Sequence, residues 1–116
     1  MQKTTILVLE DDIQLSDTIK QFLEYSGYMV YPAYDASQAK DILYEKSIDL
    51  MLLDVKVPHQ NGFDFLQERR DSGDTTPAIF VTSLNAVDDV TQIINTRLLS
   101  FRIILRLRIK FETKYN

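Results

Sequence analysis

Three short apolar runs break off abruptly at acids or hydroxyls: "TTILVLEDD" at residues 4–12, "SIDLMLLD" at 47–54 and "TPAIFVTS" at 76–83. Their Ile, Leu, Val and Phe are continuous, without the polar alternation of a half-solvated strand. Each therefore reads as a strand covered on both faces. The first is expected over residues 4–9. A further strand, "YMVYPAY" at 28–34, contains Pro32, which removes a ladder donor and suits a sheet edge.

Helical spacing fills the intervals. Asp12 reads as the N-cap of a helix whose apolar positions are Leu15, Ile19, Phe22 and Leu23, and Gly27 as the residue that stops it. Ala36, Ala39, Ile42 and Leu43 mark a second helix. Pro58 and Gly62 punctuate a loop before a third, which carries Phe63, Phe65 and Leu66, and "NAVDDVTQII" predicts a fourth from Asn85. Strands alternating with helices over short connections give an α/β class, a parallel sheet with helices on both faces. No repeat or linker interrupts the pattern, and residues 1–116 are expected to form one domain.

Composition narrows the function. Residues 1–90 hold seven Lys/Arg against sixteen Asp/Glu, a charge of −9, whereas residues 91–116 hold six against one, a charge of +5. An acidic body argues against nucleic acid as a direct ligand. No apolar run reaches the length of a membrane span, and acids directly behind the first apolar run argue against a signal peptide. The absence of cysteine excludes thiolate metal sites and fits a reducing cytoplasm. A single histidine, His59 beside Pro58, leaves no zinc cluster and reads as solvent-exposed. Tyr25, Tyr28, Tyr31 and Tyr34 cross from a helix into a strand and are expected as core and rim packing. The stretch "QERRDSGD" is expected as a solvated helix end and turn.

Ligands of such sheets bind beyond the carboxyl ends of the strands. Glu10, Asp11 and Asp12 follow the first strand, Asp54 ends the third, and Thr82 and Ser83 end the fourth. Ionised carboxylates crowded there repel one another unless a cation joins them, and carboxylate oxygens suit a hard ion such as Mg²⁺. A carboxylate beside that ion can attack phosphorus to form an aspartyl phosphate, with a hydroxyl such as Thr82 holding a phosphoryl oxygen. A lone acid at a strand end is more often a helix cap, the reading preferred for Asp12.

"ILVLEDD", "LMLLDVKVPHQNG" and "PAIFVTS" together resemble the receiver domain of bacterial two-component response regulators, over residues 4 to about 92. The resemblance implies a flavodoxin-like sheet of order 2-1-3-4-5. It implies that Asp54 accepts a phosphoryl group from a sensor histidine kinase or phosphotransfer protein. It further implies that Asp11, Asp54 and the Lys56 carbonyl ligate Mg²⁺, with Glu10 acting through a bound water. Thr82 would be the switch hydroxyl, and the Lys56 and Ser83 amides would contact the phosphoryl group. Catalysis would be limited to the domain's own phosphotransfer and hydrolysis, in the cytoplasm.

From about residue 93 the chain departs from that family. A fifth strand ending in Lys-Pro is expected there, preceded by an aromatic and followed by a helix. Spacing from Thr82 puts the aromatic at Phe101, but Ile104 and Leu105 where lysine and proline should stand. Residues 101–112 instead alternate apolar with mostly basic residues, a strand-like period. An extended tail, a strand followed by a helix, and an altered gene end after Gln92 all remain open. Loss of the fifth helix would favour a homodimer through this segment. The alternative function is a degenerate receiver, an interaction or dimerisation module indifferent to phosphate. A turnover phosphatase fits less well, because Lys56 stands where a second catalytic aspartate would be needed.

Overall fold

The computed structural model describes residues 3–55, 60–81 and 101–104, the last four for their backbone. The elements run β1 (Thr5–Leu9), α1 (Ile13–Tyr25), β2 (Met29–Ala33), α2 (Ala36–Glu45), β3 (Leu50–Asp54), α3 (Gly62–Asp71), β4 (Ala78–Val81) and β5 (Phe101–Ile104). The sheet is parallel throughout, with strand order β2-β1-β3-β4-β5. This is the flavodoxin-like order that the resemblance implied. Pro32 does lie in a terminal strand, β2. The fourth helix expected from Asn85, and everything after Ile104, lie outside the described residues.

The continuous apolar runs are explained by burial on both faces. Leu7, Leu9, Met51, Leu53, Ala78 and Phe80 point to one side and pack under α2 and α3, with Phe63, Phe65 and Leu66. The alternate residues Ile6, Val8, Leu52 and Val81 pack on the other side with Ile19 of α1. Because successive strand residues face opposite layers, neither layer can tolerate a polar position in the middle strands.

The helix ends obey local chemistry. The Asp12 carboxylate accepts from the Leu15 amide at 3.0 Å, Asp35 caps α2 through Gln38 at 2.8 Å, and Asn61 caps α3 through Asp64 at 2.8 Å. Gly27 takes φ +100, and the amides of Gly27 and Tyr28 turn back onto the Glu24 and Leu23 carbonyls, both at 3.0 Å. That closing turn needs a left-handed residue, so glycine ends α1 where the sequence placed its stop.

Two expectations need correction. Phe22 is 61% exposed and Tyr25 93% exposed, so neither joins the core, while Tyr31 and Tyr34 are half-buried. The inward arc of α1 is filled by Leu15, Ser16, Ile19 and Leu23, leaving Phe22 on its flank and Tyr25 outside. The "QERRDSGD" stretch is the helix end and turn expected, but its Arg69, Arg70 and Asp74 are partly buried rather than solvated. Asp74 pairs with Arg69 at 3.3 Å and accepts from the Thr76 amide and hydroxyl at 2.9 and 2.7 Å.

Candidate functional site

The strand order reverses direction at β1 and β3, which lie side by side although α1, β2 and α2 separate them in the chain. At such a switch point the connections leave to opposite sides and open a crevice at the carboxyl ends of the strands. Leu9 is the register partner of Leu53. The residues just beyond that pair, Glu10 on one strand and Asp54 on the other, therefore reach the crevice together.

One carboxylate oxygen from each of Glu10, Asp11 and Asp54 lies within 4.8 Å of the others. Glu10 is 2% and Asp54 5% exposed, while Asp11 faces solvent. Glu10 is anchored at both its main chain and its carboxylate. Its amide donates to the Ala33 carbonyl at 3.0 Å, and its Oε2 accepts from the Asp12 amide at 3.1 Å. Asp12 itself turns its side chain away to cap α1, as expected, and takes no place in the cluster.

The loop after Asp54 is closed by the Gly62 amide, which donates to the Val55 carbonyl at 2.7 Å. Gly62 also lies so close to the Asp54 main chain that a Cβ there would collide with the Asp54 carbonyl oxygen. It would in addition stand 3.2 Å from a ring carbon of Phe80, whose ring meets Phe63 edge-on at a centroid distance of 4.8 Å. The backbone that presents Asp54 is thus wedged against the start of α3. The sequence placed Gly62 in the loop before α3, within the motif that follows Asp54; the contact itself depends on a long-range approach with no local signature.

Three hard oxygen donors at this spacing, two of them buried, fit a divalent cation that keeps part of its water shell. Among the described residues the cluster holds no nitrogen or sulfur donor of the kind that favours zinc or a softer metal. Across the sheet, Asp54 is the register partner of Val81, and Val81 of Ile104. Ile104 therefore ends β5 in the same cross-strand row as Asp54, and Phe101 lies three residues earlier beside Ala78. Lys56, Pro58, His59, Thr82 and Ser83 lie outside the described residues. Thr82 directly follows Val81 in the chain.

Comparison with known proteins agrees with this geometry. Residues 6–101 match the response regulator receiver domain family. The transcriptional regulatory protein CrdR of Helicobacter pylori is 42% identical over 85 residues, covering 72% of this chain and 39% of that protein. CpxR of Escherichia coli is 44% identical over 78 residues, covering 67% of this chain and 33% of that protein. The chain thus spans between a third and two-fifths of the length of these relatives. Among solved structures, the Vibrio cholerae chemotaxis response regulator CheY4 superposes with a TM-score of 0.78 at 18% identity, covering 91% of this chain and 88% of that one. The Thermotoga maritima response regulator TrrA, solved in complex with Mg(2+)-BeF, gives 0.75 at 20% identity and covers 97% of each chain. The chain belongs to the response regulator receiver domain family, the receiving module of two-component signalling.

Proposed function

We propose that this receiver accepts a phosphoryl group on Asp54, with Mg²⁺ held by Asp11, Asp54 and the Lys56 carbonyl and with Glu10 acting through a bound water. The observation that carries this reading is the convergence of Glu10, Asp11 and Asp54 within 4.8 Å at the switch point of the sheet. In the transfer, an Asp54 oxygen attacks phosphorus of a phosphohistidine on a sensor kinase or phosphotransfer protein. A P–O bond forms as the P–N bond breaks, and the departing imidazole takes up a proton. Bound Mg²⁺ supplies positive charge for the phosphoryl oxygens.

This chain's own groups do the rest. Burial of Asp54 holds its carboxylate in one direction, toward the crevice, and Gly62 lets the main chain behind it sit against α3. The Thr82 hydroxyl and the Lys56 and Ser83 amides are assigned to the phosphoryl oxygens, and Phe101 to the aromatic position that responds. The domain works as a cytoplasmic switch of protein contacts. It turns over only its own phosphoryl group and is not an enzyme acting on a separate substrate.

Incubation with acetyl phosphate, followed by intact-mass measurement, tests the assignment. The expected result is a phosphoryl adduct that needs Mg²⁺ and is abolished in Asp54→Asn. An adduct that persists in Asp54→Asn, or none at all in the wild type, would refute it. A second reading, a degenerate receiver that works by interaction alone, is favoured by one observation: the uncharged Ile104 ends β5 in the Asp54 row. No adduct together with intact partner binding would select that reading.

A further inference from the structure

Two of the helices that flank the crevice leave a gap where they approach it. Between the N-terminal halves of α2 and α3 lies a hollow of about 450 Å³, lined by Ala36, Ser37, Lys40, Gln60 and Asp64. Among the described residues Ala36 is the one apolar member of that lining, so little dispersion contact joins the two walls. A single carboxylate links them instead. Glu68 of α3 meets the Lys40 ammonium of α2 at 2.8 Å through Oε1, and its Oε2 accepts from the Gln60 side-chain amide at 2.9 Å. Both oxygens are engaged, and the hydrogen bonds from Lys40 and Gln60 hold the Glu68 carboxyl below its ordinary range.

This link bears on Asp54 through α3. Gly62, between Gln60 and Glu68 in the chain, opens that helix. Its amide donates to the Val55 carbonyl at 2.7 Å, and it stands so near the Asp54 main chain that a Cβ would strike the Asp54 carbonyl oxygen. Asn61 caps the same turn through the Asp64 amide at 2.8 Å, so Gln60, Asn61 and Gly62 move with α3. A helix in such close contact with a strand end acts on it as a lever. Any tilt of α3 presses on or releases the main chain that aims the Asp54 carboxylate.

We propose that Lys40, Glu68 and Gln60 form a positioning bridge, which sets the affinity of the crevice for its divalent cation by fixing α3 behind Asp54. The inference rests on the reading that Glu10, Asp11 and Asp54 hold that cation. The bridge residues have no place in that cluster and act through Gly62. Lys40 and Glu68 are both half-exposed, so salt should loosen the pair. Its loss should weaken cation binding on the order of threefold, less than the roughly tenfold or more that follows loss of a group bonded directly to a metal ligand.

Calorimetric titration of the whole chain with Mg²⁺, without a phosphoryl donor, reads the effect. Glu68→Gln and Lys40→Met should each weaken binding about threefold, and the two together no more than either alone. Exchanging the charges, Lys40→Glu with Glu68→Lys, should recover much of the loss, because Gln60 can turn its amide oxygen toward an ammonium. Lys46→Met removes the same charge at the far end of α2 and should leave Mg²⁺ affinity unchanged. Amide hydrogen exchange without metal should quicken at Gly62 in the two single variants and not in the exchanged pair. A lowered urea midpoint with Mg²⁺ affinity unmoved would make the bridge merely structural and overturn the inference. An exchanged pair as weak as the single variants overturns it too. Wild-type binding that is lost in Asp54→Asn but unmoved by the bridge variants refutes the bridge and leaves the reading of the site standing. No Mg²⁺ binding by the wild type refutes that reading, and the inference with it.

Discussion

Substituting alanine for Gly62 sets two opposing effects against each other at the first residue of α3. Alanine is favoured over glycine in a helix by about 1 kcal/mol, less at an end than in the interior. Against this, the new methyl group meets the Asp54 carbonyl oxygen well inside contact distance, the carbonyl carbon at 3.1 Å and a Phe80 ring carbon at 3.2 Å. None of these neighbours can yield cheaply. The carbonyl is part of the β3 main chain, and Phe80 is fully buried with its ring held by Phe63. Overpacking of this kind costs about 1–3 kcal/mol, and a clash with backbone belongs at the upper end. The net expectation is a loss of about 2 kcal/mol.

Because the atom displaced is the Asp54 carbonyl, the effect should reach the site as well as the fold. Urea denaturation of wild type and Gly62→Ala measures the first, with the midpoint falling and the slope unchanged. The initial rate of Mg²⁺-dependent adduct formation, taken where both proteins are folded, measures the second and should fall. A Gly62→Ala protein as stable as wild type, with an unchanged adduct rate, would refute the argument that this glycine is required by close approach. Gly27, where a Cβ would meet nothing within 4 Å, provides the contrast. Its substitution is costly only through its φ of +100, and should leave the adduct rate alone.

Three further outcomes are expected. Ile104→Lys places a cation at the end of β5 in the Asp54 row and should lengthen the life of the phosphoryl adduct, as followed by its decay after removal of the donor; an unchanged decay would disconnect this row from the site. Asp12→Ala removes the cap of α1 and should cost about 1 kcal/mol in urea denaturation while adduct formation persists, because Asp12 supports Glu10 through its backbone amide, which alanine keeps. Burial pushes the Asp74 carboxyl up, but the Thr76 hydrogen bonds and the Arg69 charge outweigh it and hold the group below its ordinary range. A depressed carboxyl contributes stability that is complete above its unfolded value, about 3.9, and is lost as pH falls through the folded one. Asp74→Asn should therefore flatten the acid limb of a stability–pH curve measured below about pH 4, and a limb of unchanged slope would count against it.

Most of the fold was legible because two covered faces leave a strand no choice. Ile6 and Val8 serve one layer, Leu7 and Leu9 the other, so the run had to be apolar throughout. The acids of the site were legible for a related reason. In a parallel sheet every strand ends on the same side, so the acids that follow the neighbouring strands β1 and β3 meet at the crevice between them. Phe22 and Tyr25 misled because spacing along a helix cannot tell the inner arc from its flank once Leu15, Ile19 and Leu23 fill it. The order around Asp74 was hidden because its partners, Arg69 and Thr76, look in sequence like any polar turn. Gly62 was hidden by distance, since its neighbours Asp54 and Phe80 come from other strands.

The departure at the end of the chain acquires a physical meaning from the register. Ile104 is two strands from Asp54 in one row, about 10 Å between main chains at the usual strand spacing. A long cationic side chain from that position would lean back toward the crevice; an aliphatic one brings no charge. On the proposed reading, three carboxylates beside one divalent ion would leave the site negative before any phosphoryl group arrived, and the transfer would add more negative charge. In a partly buried site such an excess is poorly screened, and each missing cation raises the free energy of the phosphorylated form. The consequence falls on that form and not on the resting fold, whose described core contacts are apolar. A chain of this kind should thus fold as a full receiver and accept phosphate, yet hold it briefly.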